Sequence, residues 1–348
     1  MNSKINIAEP KYEFDDIIHE DLFNDSTIFL GCISFEKRSK AAAEKIACFK
    51  KIPMSFVQVE DDQCTYPTWK DECDRKTLKN WIELKNYAEK YDLNIGETPI
   101  QYKMSLRAEI VSSLKNDIQT IISKHISKSS DRRIILDLTC MPSYFAFQFI
   151  RNIINDEKVS DLLVLYTKPG DYPPEEETLK ISPFDNSKPD FLPFFGKRKQ
   201  KFEKFNWIVG LGFDYDSVKN AERIREVIDI EYENFIIPFP GYKPEYVIRT
   251  MKKNRDLIGV KKDFKYAPAD NPFRTYNVIK ELVKNNKKFI LSTFGPKPLS
   301  LGFCLAAIKF NLPIIHVQAT NYNPNFSTGS GNTYLYWIKY NGKVWWEY

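Results

Sequence analysis

The chain has 348 residues, 43% hydrophobic and 28% charged, with 51 Lys and Arg against 46 Asp and Glu and a formal net charge of +5. Its aromatic content (Phe 25, Tyr 19, Trp 6) excludes intrinsic disorder. The near-even sign balance excludes a dedicated basic coat of the kind nucleic-acid packaging needs, though not a local basic site. At roughly 150 residues per domain, about two domains with real hydrophobic cores are expected.

The opening MNSKINIAEPKYEFDD has no apolar h-region, and no stretch approaches about 18 uninterrupted apolar residues. Neither a signal peptide nor a membrane partner is expected. The six cysteines (Cys32, Cys48, Cys64, Cys73, Cys140, Cys304) form no CxxC pair, and the three histidines (His19, His125, His316) lie far apart. This pattern predicts reduced thiols in a cytoplasmic protein, with no metal site.

In chain order the sequence reads twice. An apolar run, a glycine and an acidic residue open a helical pattern at 27–39 (TIFLGCISFEKRS) and again at 206–220 (NWIVGLGFDYDSVKN). Second strands follow at 53–59 and 234–241, each leading into a helix, 77–91 and 243–258. Third strands, PIQYKMSL and DFKYAPAD, precede long helical stretches. Fourth strands, RRIILDLT (132–139) and KKFILSTF (287–294), run into Pro-bearing turns and apolar helices. Fifth strands are LLVLYTKPGDY (162–172) and PIIHVQATNY (313–322). Strands alternating with helices predict an α/β protein with two tandem Rossmann-like, doubly wound parallel sheets. The matching order of ten elements points to duplication, although so common a fold also produces such order without it.

The expected domains are 1–172 and 206–348, joined by a Pro- and charge-rich linker, 173–205. The linker's KRKQKFEK run is either a solvated stretch or a weak nucleic-acid contact. Residues 61–74 are an insertion loop of the first half. Asn341-Gly342 between two aromatic runs is the signature of a type I′ hairpin, which is expected to extend the second sheet or plug the seam between the domains.

Ligands of doubly wound sheets bind beyond the carboxyl ends of the strands. The strongest candidate there is 292–302, STFGPKPLSLG. Ser292 and Thr293 end a strand, Gly295 permits a tight turn, and Lys297 places a positive charge at a helix N-terminus suited to phosphate. Ser300 either caps the first turn or reaches a phosphate oxygen. After the fifth strand, Gln318, Asn321 and the polar 321–333 loop offer donors and acceptors. Tyr322 either stacks a base or fills a sheet edge. The first-half equivalent, DLTCMPSYF, carries Asp137, Thr139 and Ser143 but no lysine, and Pro142 aligns with either Pro296 or Pro298. Glu36 either pairs with Arg38 or contacts a ligand. Asp214 and Asp216 suit acid–base work, a divalent ion or ordinary helix N-terminal placement. His316, between Ile315 and Val317, reads as a core or lining residue. No Walker A loop or GxGxxG fingerprint is present, so no dinucleotide cofactor is expected.

The run Thr293 to Gly302 resembles the strand–turn–helix signature of CARF domains, the CRISPR-associated Rossmann-fold sensors, with Gly295 and Lys297 the best-matched positions. A tandem pair in one chain is similar to SAVED domains, which bind cyclic oligonucleotides in antiviral defence. The turn departs from the pattern in carrying one glycine instead of two. The resemblance implies a cytoplasmic nucleotide-binding sensor or regulatory subunit of prokaryotic antiviral defence. Because the two halves use almost the whole chain, its effector would be a separate protein, or one half would itself be catalytic. The alternatives are an enzyme cleaving a nucleotide phosphodiester or glycosyl bond, with Glu36, Asp137, Asp214 and Lys297 as candidate catalytic groups, and a scaffold with vestigial pockets.

Overall fold

The computed structural model describes residues 8–19, 22–60, 67–103, 131–173, 189–196, 204–212, 217–259, 264–284, 288–317 and 322–348, together with Asn116 and Thr120. In chain order its strands are β1 (Lys11–Glu13), β2 (Thr27–Cys32), β3 (Met54–Glu60), β4 (Ile100–Lys103), β5 (Arg132–Asp137) and β6 (Val159–Asp171). There follow β7 (Pro189–Phe191), β8 (Lys204–Gly210), β9 (Asp229–Pro238), β10 (Phe264–Ala267), β11 (Phe289–Thr293) and β12 (Ile315–Val317), then β13 (Thr328–Tyr340) and β14 (Lys343–Val344). The chain divides into two units: Met1–Lys180 with Asn321–Tyr348, and Ile181–Thr320.

The first unit holds one sheet of order β1-β13-β6-β5-β2-β3-β4, with β14 paired to β13. The five strands β4, β3, β2, β5 and β6 are mutually parallel. Numbered by appearance, they stand in the order 3-2-1-4-5 of a doubly wound fold. Every residue of β2 is buried, as a parallel strand covered on both faces requires. Helices Ala41–Ala47 and Pro67–Tyr91 contribute Ala42, Ile46, Trp81 and Leu84 to a core cluster with Phe29 and Phe56. The Phe56 ring lies 5.6 Å from Phe29 and 5.9 Å from Trp81, centroid to centroid. Each such side chain contributes roughly 1.5–3 kcal/mol on full burial.

In the second unit β10-β9-β8-β11 are parallel throughout. A parallel bridge from Leu291 to Ile314 sets the start of β12 beside β11, so this unit too runs 3-2-1-4-5. That order belongs to a very common architecture and does not by itself establish duplication.

Three expectations are corrected. The C-terminal segment does not belong to a second domain of 206–348. β13 lies in the first sheet, antiparallel to both β6 and β1. Both β6 and β13 are 13 residues long, and Tyr334–Lys339 are all buried, which demands a place inside a sheet. The edge of the second unit is taken instead by β7, antiparallel to β12. Residues 189–191 of the expected linker therefore form a strand. Third, the expected insertion loop 61–74 is helix from Pro67 onward. The hairpin turn itself forms, with φ of 47° at Asn341 and 81° at Gly342 as type I′ needs.

Candidate functional site

In the second unit, β11 delivers Ser292 to Gly295 at its carboxyl end, and helix Lys297–Phe310 follows at once. Ser292 is fully buried and internally committed: its Oγ accepts from Trp207 Nε1 at 2.8 Å and donates to Ile315 O at 3.1 Å. The Ser300 hydroxyl, also buried, meets Thr293 Oγ1 at 2.9 Å and Gly295 O at 3.3 Å. These two serines brace the turn. Gly212 explains the turn's tightness: a Cβ there would stand 2.2 Å from Phe294 O. A Cβ on Gly295 would stand 2.7 Å from Leu211 O. The glycines thus admit close backbone packing between the β8 and β11 loops.

Thr293, Gly295, Pro296 and Lys297 keep partial exposure. Lys297 is the first helical residue, Pro296 is its N-cap, and no side chain caps the helix. The positive end of a 14-residue helix and an ammonium group therefore share one mouth. The same mouth acts on His316 of β12, whose pKa is pushed down to about 4, chiefly by burial and then by the Lys297 charge. His316 is thus neutral at pH 7. Asn254, fully buried, donates to Gly212 O at 2.8 Å and fixes the loop beyond β8. Asp214, Gln318 and Asn321 lie outside the described residues.

The first unit's strand ends carry a different arrangement. Arg38 Nε donates to Glu36 Oε2 at 2.8 Å and Arg38 Nη2 to Glu36 Oε1 at 3.1 Å. Arg38 Nη1 also donates to Thr167 O of β6 at 2.9 Å. The pairing alternative for Glu36 is therefore the one realised. Ser327 Oγ donates to the same carboxylate, and the Cys140 thiol approaches it at 3.9 Å. Burial first, then the Glu36 charge, raise the Cys140 pKa well above its ordinary value, which keeps it an unreactive thiol.

Asp137 and Thr139 are buried beside this pair. Asp137 accepts from the Thr139 backbone N–H at 2.9 Å and from its hydroxyl, while Thr139 Oγ1 accepts from Thr167 N at 2.9 Å. They clamp β5 to β6. Ser143 begins helix Ser143–Ile154 behind an N-cap at Pro142, as Lys297 does behind Pro296. The structure thus aligns Pro142 with Pro296 and Ser143 with Lys297.

Tyr322 corrects an expectation. It belongs to the first unit, its ring 6.3 Å from Phe35 and its carbonyl accepting from Cys73 Sγ at 3.6 Å. Lys76 donates to Pro324 O at 3.0 Å and Asn325 Oδ1 at 2.9 Å, and Phe326 packs against Tyr172 at 5.3 Å. The 322–327 segment is thus pinned over the first unit's strand ends. Ser327, Cys73 and Lys76 were not singled out as site-forming residues from the sequence, because their partners lie about 250 to 290 positions away. No cluster of potential metal ligands occurs among the described residues.

No protein-family model and no curated protein matches the chain. Among solved structures it is similar to the cytoplasmic domain of a prokaryotic cation chloride cotransporter, at 8% identity and TM-score 0.25, over 86% of this chain and 98% of that one. It is similar also to a protein described as a universal stress protein from Pseudomonas aeruginosa UCBPP-PA14, at 10% identity and TM-score 0.24, over 85% and 94%. At those scores neither likeness carries functional weight. The α/β assignment rests on the strand order, and no helix among the described residues is long and apolar enough to cross a membrane.

Proposed function

We propose that the chain is a nucleotide-binding sensor or regulatory subunit whose ligand phosphate docks at the first turn of helix Lys297–Phe310. One observation carries this reading. A partly exposed lysine opens an uncapped helix at the carboxyl end of β11, over a turn whose glycines hold the backbone in place. Helix N-termini at this position of a doubly wound sheet suit anions on general grounds.

The catalytic alternative has less support. Two of its candidates, Glu36 and Asp137, are engaged by protein donors in the first unit. A place in prokaryotic antiviral defence, with a separate effector protein, rests on the CARF and SAVED resemblance alone.

The test is isothermal titration with a panel of mono-, oligo- and cyclic nucleotides. Lys297→Ala removes a charge-assisted hydrogen bond, of roughly 1.5–3 kcal/mol, and weakens binding about tenfold to hundredfold. Equal affinity in a folded Lys297→Ala variant removes the phosphate site from this helix. Turnover of the added nucleotide favours the enzyme.

A further inference from the structure

The second unit carries an exposed cluster of three aromatic rings at the edge of its sheet. Among the described residues β10 pairs only with β9 and ends the strand order. Phe264 and Tyr266 on β10 and Phe239 beyond β9 are 38%, 46% and 53% exposed. Tyr266 stands 5.5 Å from Phe264 and 5.6 Å from Phe239, centroid to centroid. Large rings grouped this way on a surface mark a binding region more often than a chance exposure.

Charge states what would cover them. Residues 243–266, most of the crossover from β9 together with the first three residues of β10, contain eight Lys or Arg and three Asp or Glu. Their net +5 equals the formal charge of the entire chain. Lys252 and Lys265 are exposed, and Lys265 lies between the two β10 rings in sequence. A second copy pairing along this edge would bring two such segments together, so like-charge repulsion opposes it. A polyanion is favoured, and exposed rings in a segment this rich in cations favour one that carries bases as well as phosphates.

We infer that this edge binds single-stranded nucleic acid, by base stacking on Phe239, Phe264 and Tyr266 with the lysines tracking the backbone. The surface is separate from the mouth at Lys297, so it goes beyond the proposed small-ligand site.

The experiment is fluorescence anisotropy of the full chain with labelled oligo-dT and oligo-U of about 20 nucleotides. Binding is expected at about 50 mM salt and weakens steeply as salt rises. Phe264→Ala with Tyr266→Ala weakens it about tenfold or more. Lys252→Gln with Lys265→Gln lowers the salt slope by about 1.4, at roughly 0.7 per lost phosphate contact. The loss caused by the aromatic double variant is the same in a Lys297→Ala background, which distinguishes this surface from the proposed nucleotide site. The inference is overturned if the folded chain binds neither oligomer, if the double aromatic variant binds as wild type does, or if anionic phosphatidylserine vesicles capture the protein while oligonucleotides do not.

Discussion

Ser327 donates its hydroxyl to the Glu36 carboxylate although 291 residues separate them in sequence. The bond ties the segment entering β13 to the loop leaving β2 and meets a carboxylate already held by Arg38. Ser327→Ala removes it. A hydrogen bond to a charged group contributes roughly 1.5–3 kcal/mol. The partly exposed site argues for the lower end, a fall in Tm of about 3–5 °C. Thermal unfolding checks this, and an unchanged Tm shows that the bond contributes nothing.

Arg38 is more demanding. Its side chain is 5% exposed and that of Glu36 15%, so removing the cation strands a largely buried carboxylate. Arg38→Leu is expected to cost about 3–5 kcal/mol in urea unfolding. Arg38→Lys recovers only part, because an ammonium cannot hold both carboxylate oxygens and Thr167 O in one plane. Adding Glu36→Leu to Arg38→Leu restores much of the loss, since the unpaired charge is then gone. A double variant no better than the single one contradicts this account.

His316 gives the second unit a pH signature. Its folded pKa of about 4 lies below the ordinary 6.5, so as pH falls the unfolded chain takes up the proton first. Its contribution is therefore complete above about pH 6.5 and is lost as pH drops toward 4, by at most about 3 kcal/mol. Unfolding curves at pH 7 and pH 4.5 for wild type and His316→Gln isolate it. The variant should lose less stability between the two, and parallel losses count against a neutral, desolvated imidazole.

Cutting the chain after Thr320 retains Ile181–Thr320 and removes β13 with its buried Leu335, Tyr336, Trp337 and Ile338. The expected product has a second unit resistant to limited proteolysis and a first unit that is digested. Survival of both as folded fragments refutes the view that β13 completes the first sheet.

The parallel strands were legible because each is a short apolar run one helix from the next, and the turn after Tyr340 because Asn-Gly admits two positive φ values. The partner of β13 was not legible. Its buried pattern asks for a sheet interior but names no sheet, and its partners on β6 lie far back in the sequence. The site residues divided in the same way. Lys297 was legible from the local turn. The roles of Ser292, Thr139 and Tyr322 depend on Trp207, Thr167 and Phe35, which no local spacing reveals.

The insertion of one unit between β6 and β13 of the other also orders their biogenesis. On a ribosome the chain emerges at roughly 5–20 residues per second. All of Ile181–Thr320 must be translated before β13 can reach β6. The unit begun first is therefore finished last, and the long hydrophobic flank of β6 waits on the order of ten seconds or more with its backbone donors and acceptors unpaired. A nascent chain stalled in that interval is where a chaperone would find its target.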